Sequence, residues 1–207
     1  MTIALFASGG GSNAGAVLAA IADSRIDARA GLLVTDRDGI GALDRAQAHS
    51  VPTAVIPPRN HADEDAFGEA LLAALRAHAV DAIVLAGYLR KIPPPVVGAY
   101  RHRILNVHPS LLPAFGGTGM YGRRVHEAVL AHGCRVSGAT VHLVDEQFDT
   151  GPIVLQRCVP VEPGDTPETL AARVLAAEHQ ILPEAVGLLA SGRLRVDGRL
   201  VSLLPAP

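Results

Sequence analysis

Charge is scarce in this chain. Asp, Glu, Lys and Arg together make up 18% of its 207 residues, and 18 basic against 20 acidic side chains leave a net charge of -2. A general nucleic-acid binder would show a basic excess, so that class is excluded, although a local anion site is not. Lys91 is the only lysine; every other basic residue is arginine. Two cysteines, Cys134 and Cys158, are too few for a disulfide framework or a CxxC metal site and read as buried apolar thiols in a reduced cytosol. No apolar run approaches the roughly 20 residues of a membrane-spanning helix. The N-terminal Met1–Ser8 stretch lacks the basic flank and apolar length of a signal peptide. These absences lead to the expectation of a cytoplasmic protein with no membrane partner.

What the chain does contain is core material. Hydrophobic residues are 49% of the sequence and mean hydropathy is +0.28, enough for one full-sized domain. Short apolar runs alternate with helical periodicity: Ile3–Ala7, then Ala14–Ile21; Gly31–Thr35, then Ala42–Ala48; Val51–Ile56, then Phe67–Arg76; and Ala82–Ala86. Such alternation predicts a mostly parallel sheet covered by helices on both faces. Pro93–Pro95 opens a short helix, Ile104–Val107 is a strand, and Phe115–Gly122 reads as a glycine-rich surface loop. Val125–Ala131 is helical, and two strands follow at Ala139–Leu143 and Ile153–Gln156. Thr166 is read as the N-cap of a long helix to about Leu189, answered by an acid in the first turn, and Arg193–Val201 as a hairpin with an Asp-Gly turn. The expected fold is a single α/β domain with a small C-terminal hairpin.

Ser8-Gly9-Gly10-Gly11-Ser12-Asn13 lies between the first strand and the first helix. Glycine permits close backbone approach, and a helix N-terminus presents unpaired N–H groups and the positive end of its dipole. An anion, phosphate first, is the natural guest. Gly9, Gly11 and Ala14 also satisfy G-x-G-x-x-A, with Asp36 after the second strand as a ribose-binding acid. That competing pattern points to a dinucleotide oxidoreductase, but it leaves the middle of the chain unexplained.

The middle holds Asn106-Val107-His108-Pro109-Ser110-Leu111-Leu112-Pro113 at the end of a strand. Asn106 and His108 are two apart on an extended segment, so their side chains share one face. An amide beside an imidazole suits a developing oxyanion, since one donates N–H and the other donates or shuttles a proton. Downstream stand His142 and Asp149-Thr150-Gly151-Pro152. A carboxylate near His108 would favour imidazolium. Spacing alone does not bring Asp149 to His108, and the spacings of His108, His142 and Asp149 match no zinc pattern.

Across nearly its whole length the chain resembles the folate-dependent formyltransferases. The resemblance rests on Ser8–Asn13, Leu85-Ala86-Gly87-Tyr88-Leu89-Arg90, Asn106–Pro113, Val141-His142-Leu143 and Asp149–Gln156. The Asn-x-His-x-Ser-Leu-Leu-Pro block marks the wider group, and the Ser-Gly-x-Gly-Ser-Asn turn its purine-biosynthetic branch. The resemblance implies a Rossmann-like domain spanning 1–207, with a phosphate-binding half at 1–100 and a catalytic and folate-binding half at 101–207. It implies formyl transfer from 10-formyltetrahydrofolate, as co-substrate and without a metal, to the amine of 5'-phosphoribosylglycinamide. Gly11, Ser12 and Asn13 would then hold the phosphate, and Glu178 the glycinamide end. Leu89, Arg90 and Ile92 would line the pterin pocket, with residues 145–149, from Asp145 to Asp149, as the folate loop. Asn106 and His108 would polarise the formyl oxygen. Asp149 would keep His108 protonated or position a proton-carrying water, and His142 would support them. Small molecules are the only partners implied, for a monomer or homodimer.

Two features depart from the family pattern. The Phe115–Arg124 stretch is long and glycine-rich ahead of the helix carrying His126-Glu127-Ala128-Val129. Glu64 stands where some relatives carry an arginine for the folate tail, and Arg59, Arg123 or Arg124 are candidate substitutes. Within the family, a tRNA-directed enzyme would need a further basic domain, and a deformylase would use water as acceptor.

Overall fold

Alternation along the first strand decides which residues meet which helices. The computed structural model describes residues 1–205, so the last two positions of the expected domain lie outside the described residues. In β1 (Thr2–Ala7), Ile3, Leu5 and Ala7 join one core cluster, and Ala4 and Phe6 the other. This is the period-2 signature of a strand buried on both faces. The remaining elements of the first half are α1 (Ser12–Ala22), β2 (Arg29–Thr35), α2 (Gly41–Ala48), β3 (Thr53–Val55), a 3-10 turn (Pro58–Asn60), α3 (Glu64–Ala77), β4 (Ala82–Leu85) and α4 (Pro94–Ala99). The second half contains β5 (Ile104–His108), α5 (Arg123–Ala131), β6 (Val136–Leu143), β7 (Ile153–Pro160), α6 (Pro167–Ala190), β8 (Leu194–Asp197) and β9 (Leu200–Leu203).

Seven strands form one sheet in the order β3-β2-β1-β4-β5-β6-β7, and β8 and β9 form the separate hairpin. The pairings from β3 to β5 are parallel, and those of β5 with β6 and β6 with β7 are antiparallel. One core cluster packs Val17 and Leu18 of α1 and Val174, Ile181 and Leu182 of α6 on one face. The other packs Phe67, Leu71 and Leu75 of α3 with Val96 and Val97 of α4 on the opposite face. Each fully buried side chain of this size stabilises the fold by about 1.5–3 kcal/mol.

The chain leaves β1 toward β2 and β3, then returns to β4 and β5 on the other side of β1. That reversal opens a crevice at the carboxyl ends of β1 and β4, the usual ligand position in such sheets. Ser8–Gly11 follows β1, Gly87–Ile92 follows β4, and Asn106 and His108 close β5. These segments therefore gather at the carboxyl ends of the central parallel strands of one sheet, which runs without a break through the boundary expected near residue 100.

Several details differ from the sequence expectation. β3 is only three residues long, because it pairs solely with the end of β2. The residue reciprocating the Thr166 cap is Thr169, whose hydroxyl accepts from the Thr166 N–H at 2.9 Å; the acid Glu168 sits one position earlier. In the hairpin, Asp197 pairs with Leu200, so the two turn residues are Gly198 and Arg199. Cys158 is exposed on the edge strand β7 and Cys134 is half-buried, so neither is the fully buried thiol expected. Among the described residues no helix is long and apolar enough to cross a membrane.

Candidate active site

The turn after β1 depends on glycine at one position. Gly11 has φ +68°, and a Cβ there would come within 2.6 Å of the Ala42 Cβ. Only glycine adopts that left-handed conformation against that neighbour without strain. The consequence is a helix, α1, whose N-terminus is covered by no capping side chain and carries no acid in its first turn. Its first N–H groups are left for an outside anion.

Asn13, in the first turn of α1, donates from Nδ2 to Glu178 Oε2 of α6 at 2.5 Å across 165 residues of sequence. Glu178 is buried, and burial raises its carboxyl pKa against the lowering effect of Asn13. The other amide atom, Asn13 Oδ1, is buried without a partner.

At the end of β5 the imidazole of His108 is 4% exposed. Its Nε2 lies 2.9 Å from the Phe115 carbonyl oxygen. A carbonyl only accepts, so Nε2 carries the proton and Nδ1 holds the lone pair in the neutral ring. Nδ1 faces Asp149 Oδ2 at 3.5 Å, and that same oxygen accepts from the Gly117 N–H at 2.8 Å. Asn106 and His142 are direct partners in the β5–β6 register. His142 Nδ1 donates to the Leu143 carbonyl at 3.0 Å, which leaves its Nε2 to accept from Asn106 Nδ2, also at 3.0 Å. His142 Nε2 stands 3.6 Å from Asp149 Oδ1, so the carboxylate sits between two imidazoles.

Burial and charge compete here. Burial lowers the His108 pKa below its ordinary value and outweighs the raising effects of Asp149 and the Phe115 carbonyl. Burial thus opposes the protonated form expected of His108, and Asp149 favours it. For Asp149, burial works upward, but His142, His108 and the Gly117 N–H together bring the carboxyl below its usual range. Close approach of the glycine loop makes this possible. A Cβ on Gly116 would stand 3.2 Å from the Asp149 Cβ and crowd Leu112 at 2.5 Å.

These groups open on one cavity of about 550 Å³. Asn106, His108 and Asp149 line it, as do Asn13 and Glu178. So do Leu89, Arg90, Ile92 and Asp145, the residues expected on the folate side. Gly11 and Ser12 lie just outside its lining, at the start of the helix that carries Asn13. Asp145 Oδ1 accepts from the Gln147 N–H at 3.0 Å and from the Thr150 hydroxyl at 2.7 Å, which shapes the loop to Asp149.

Asp36 does not serve as an open ribose acid. Its carboxylate is buried and holds Arg37 at 2.8 Å and Arg90 at 2.7 Å. Burial works to raise its pKa, but the two arginines and Ser8 bring it down to about 2. Of the proposed substitutes for a folate-tail arginine, Arg123 is engaged by Glu127 and Glu168, and Arg124 lies 5.1 Å over the Tyr121 ring. Arg59 sits in the 3-10 turn. Glu64 opens α3 beside the capping Asp63, where an acid favours the helix dipole.

A family model for formyl transferases matches residues 1–186. The chain belongs to the formyl transferase family. This formyl transferase is 44% identical over 199 residues to the chloroplastic phosphoribosylglycinamide formyltransferase of Arabidopsis thaliana, covering 95% of this chain and 68% of that one. It is 39% identical over 183 residues to the phosphoribosylglycinamide formyltransferase of Bacillus subtilis, covering 88% and 91% of the two chains. The crystal structure of glycinamide ribonucleotide transformylase 1 from Symbiobacterium toebii superposes with a TM-score of 0.94 at 42% identity, covering 99% of this chain and 94% of that one.

Sequence reasoning found Asn106, His108 and Asp149 but missed three groups that touch them or share their cavity. The Phe115 carbonyl and the Gly117 N–H are backbone atoms, invisible to residue type. His126, buried on α5, lines the cavity and had been read only as part of a helix.

Proposed function

We propose that this formyl transferase moves the formyl group of 10-formyltetrahydrofolate to the amine of 5'-phosphoribosylglycinamide, giving formylglycinamide ribonucleotide and tetrahydrofolate, as in de novo purine biosynthesis. The observation that carries the reading is that Asn106, His108 and Asp149 face one cavity that also reaches Asn13, in the first turn of an uncapped helix. The names of the relatives at 44% and 39% identity support the same acceptor.

The phosphate of the acceptor sits on the N–H groups that follow Gly11, with Ser12 and Asn13 beside it, and Glu178 receives the ribosyl-glycinamide portion. The folate occupies the side lined by Leu89, Arg90, Ile92 and Asp145. The two substrates thus divide the chain, the phosphate site drawing on 1–100 and the catalytic and folate groups mainly on 101–207.

The acceptor amine attacks the formyl carbon, forming a C–N bond while the carbonyl oxygen gains negative charge. The Asn106 amide, oriented by His142, and the His108 ring meet that oxygen. The proton released by the attacking amine passes to His108 Nδ1, so the ring meets the oxyanion as imidazolium, and Asp149, 3.5 Å away, stabilises that charge. One well-placed oxyanion donor contributes about 3–4 kcal/mol, and holding both reactants supplies part of the roughly 7–11 kcal/mol available from proximity. Breaking the bond from the formyl carbon to N10 completes transfer, and the same proton leaves His108 for that nitrogen, through Asp149 or a water it holds. Every group needed lies in one chain, so a monomer suffices, and a homodimer would add nothing to the chemistry. Both substrates are small and diffusible, consistent with a cytoplasmic setting.

The test is folate absorbance during incubation with 10-formyltetrahydrofolate, with and without phosphoribosylglycinamide. Product formation that requires the acceptor supports the reading. Folate release without acceptor indicates a deformylase, and no release under either condition rejects both.

A further inference from the structure

Among the described residues, five buried side-chain polar atoms lack a hydrogen-bond partner, and three belong to residues lining the candidate-site cavity: Asn13 Oδ1, the Tyr88 hydroxyl and His126 Nδ1. Buried polar groups are almost always paired, so such a concentration marks a wall whose polar side chains the chain alone does not fully engage. Asn13 is already assigned to the acceptor. His126 is not assigned to anything.

His126 is 4% exposed, and Val125 and Val129 on the same helix are also buried. Nδ1 is the enclosed nitrogen, which leaves Nε2 as the one able to reach the cavity. An orphaned lone pair is easier to tolerate in the interior than an orphaned N–H. The tautomer that satisfies this places the proton on Nε2 and the lone pair on Nδ1. Burial lowers the ring's pKa, and the nearby His108 lowers it further; Nε2 carries an N–H in either protonation state of this tautomer.

The position of the ring selects its target. α5 packs on α6, which carries Glu178, and His126 lines the same cavity as His108 and Glu178. It therefore opens on the interval of that cavity shared by the formyl-transfer centre and the ribosyl end of the acceptor. The stretch of acceptor that spans this interval is the glycinamide unit, whose single strong hydrogen-bond acceptor is its carbonyl oxygen. We propose that His126 is a substrate-binding residue whose Nε2–H donates to the amide carbonyl oxygen of the amine substrate, holding the nucleophilic end in line with the formyl carbon. This assignment rests on the function proposed above.

Three variants separate the possibilities. His126→Leu keeps volume and removes the donor. His126→Gln carries an N–H close to the Nε2 position. His126→Asn carries one only at the Nδ1 position, short of the cavity. Wild-type protein is assayed first: no acceptor-dependent transfer rejects the function itself, whatever the variants do. Given an active wild type, His126→Leu and His126→Asn should raise KM for phosphoribosylglycinamide about tenfold or more, the effect of one lost hydrogen bond. His126→Gln should stay within about threefold, and fluorescence titration with a non-reactive folate analogue should give wild-type affinity throughout. If His126→Leu does not fold by circular dichroism, the Asn and Gln pair decides. Unchanged acceptor KM in His126→Asn, or equal losses for acceptor and folate in both polar variants, overturns the proposal.

Discussion

The Phe115 carbonyl oxygen accepts from His108 Nε2 at 2.9 Å, and this single contact decides which ring nitrogen is free to act. Phe115 holds φ +55°, a conformation costly for a bulky residue, and its ring lies edge-on to His132 at 5.3 Å. The loop thus turns its carbonyl toward the imidazole and leaves Nδ1 to the cavity and Asp149. Nitrogen-15 NMR of the ligand-free protein should show His108 as the Nε2–H tautomer at neutral pH. A signal for the Nδ1–H form would remove the contact from the mechanism.

His108→Ala should lower kcat by about 10²–10³-fold, the usual loss when an oxyanion donor or a positioned acid is removed. The fold should survive, because the ring fills a cavity wall rather than a core layer. Steady-state rates alongside thermal melts check both halves of this expectation.

Asp149→Asn deletes the charge that raises the His108 pKa against burial. His108 should then titrate at a still lower pH, and the acid side of any pH–rate profile governed by it should move the same way. Proton NMR titration of the His108 ring in the two proteins measures the displacement directly. Equal titration curves would show that the carboxylate does not act through this ring.

Burial holds both His108 and His126 below the ordinary histidine value. In the unfolded chain they return to about 6.5. As pH falls from 6.5 toward the folded values, the unfolded state binds more protons, so stability drops through that window and is fully present above it. The urea midpoint should therefore be lower at pH 5.5 than at pH 7.5. His126→Gln, with one such histidine removed, should show a smaller difference between the two conditions.

Gly11→Ala forces a side chain into the left-handed region against Ala42, at 2.6 Å for the added Cβ. The expected loss is about 1–3 kcal/mol of stability, together with a higher KM for the phosphorylated acceptor, since the first N–H groups of α1 would be displaced. Denaturant unfolding and acceptor titration read the two effects separately.

Much of this was legible before any coordinates. The β1 run, the glycine turn and the first helix follow from side-chain period and from the steric freedom of glycine, both of which act over a few neighbouring residues. Asn106 and His108 could be placed on one face because a strand alternates with period 2. The reading slipped at details of the same local kind: Thr169 rather than an acid answers Thr166, and the hairpin turn falls at Gly198 and Arg199. Hydroxyl and carboxylate serve a cap almost equally, and turn register depends on which cross-strand pair closes first.

The sequence by itself determined the order of strands and helices, the anion-ready helix start and the amide–imidazole pair, because each is set by sterics and hydrogen bonding among near neighbours. Only the tertiary structure decided that Asn106 faces His142 across the β5–β6 register, that Asp149 lies between two imidazoles, and that Asn13 meets Glu178 from 165 residues away. It also decided which way the His108 pKa moves. A carboxylate beside the ring favours imidazolium, but the surrounding packing withdraws water from it, and burial draws the pKa below its ordinary value even with Asp149 at 3.5 Å.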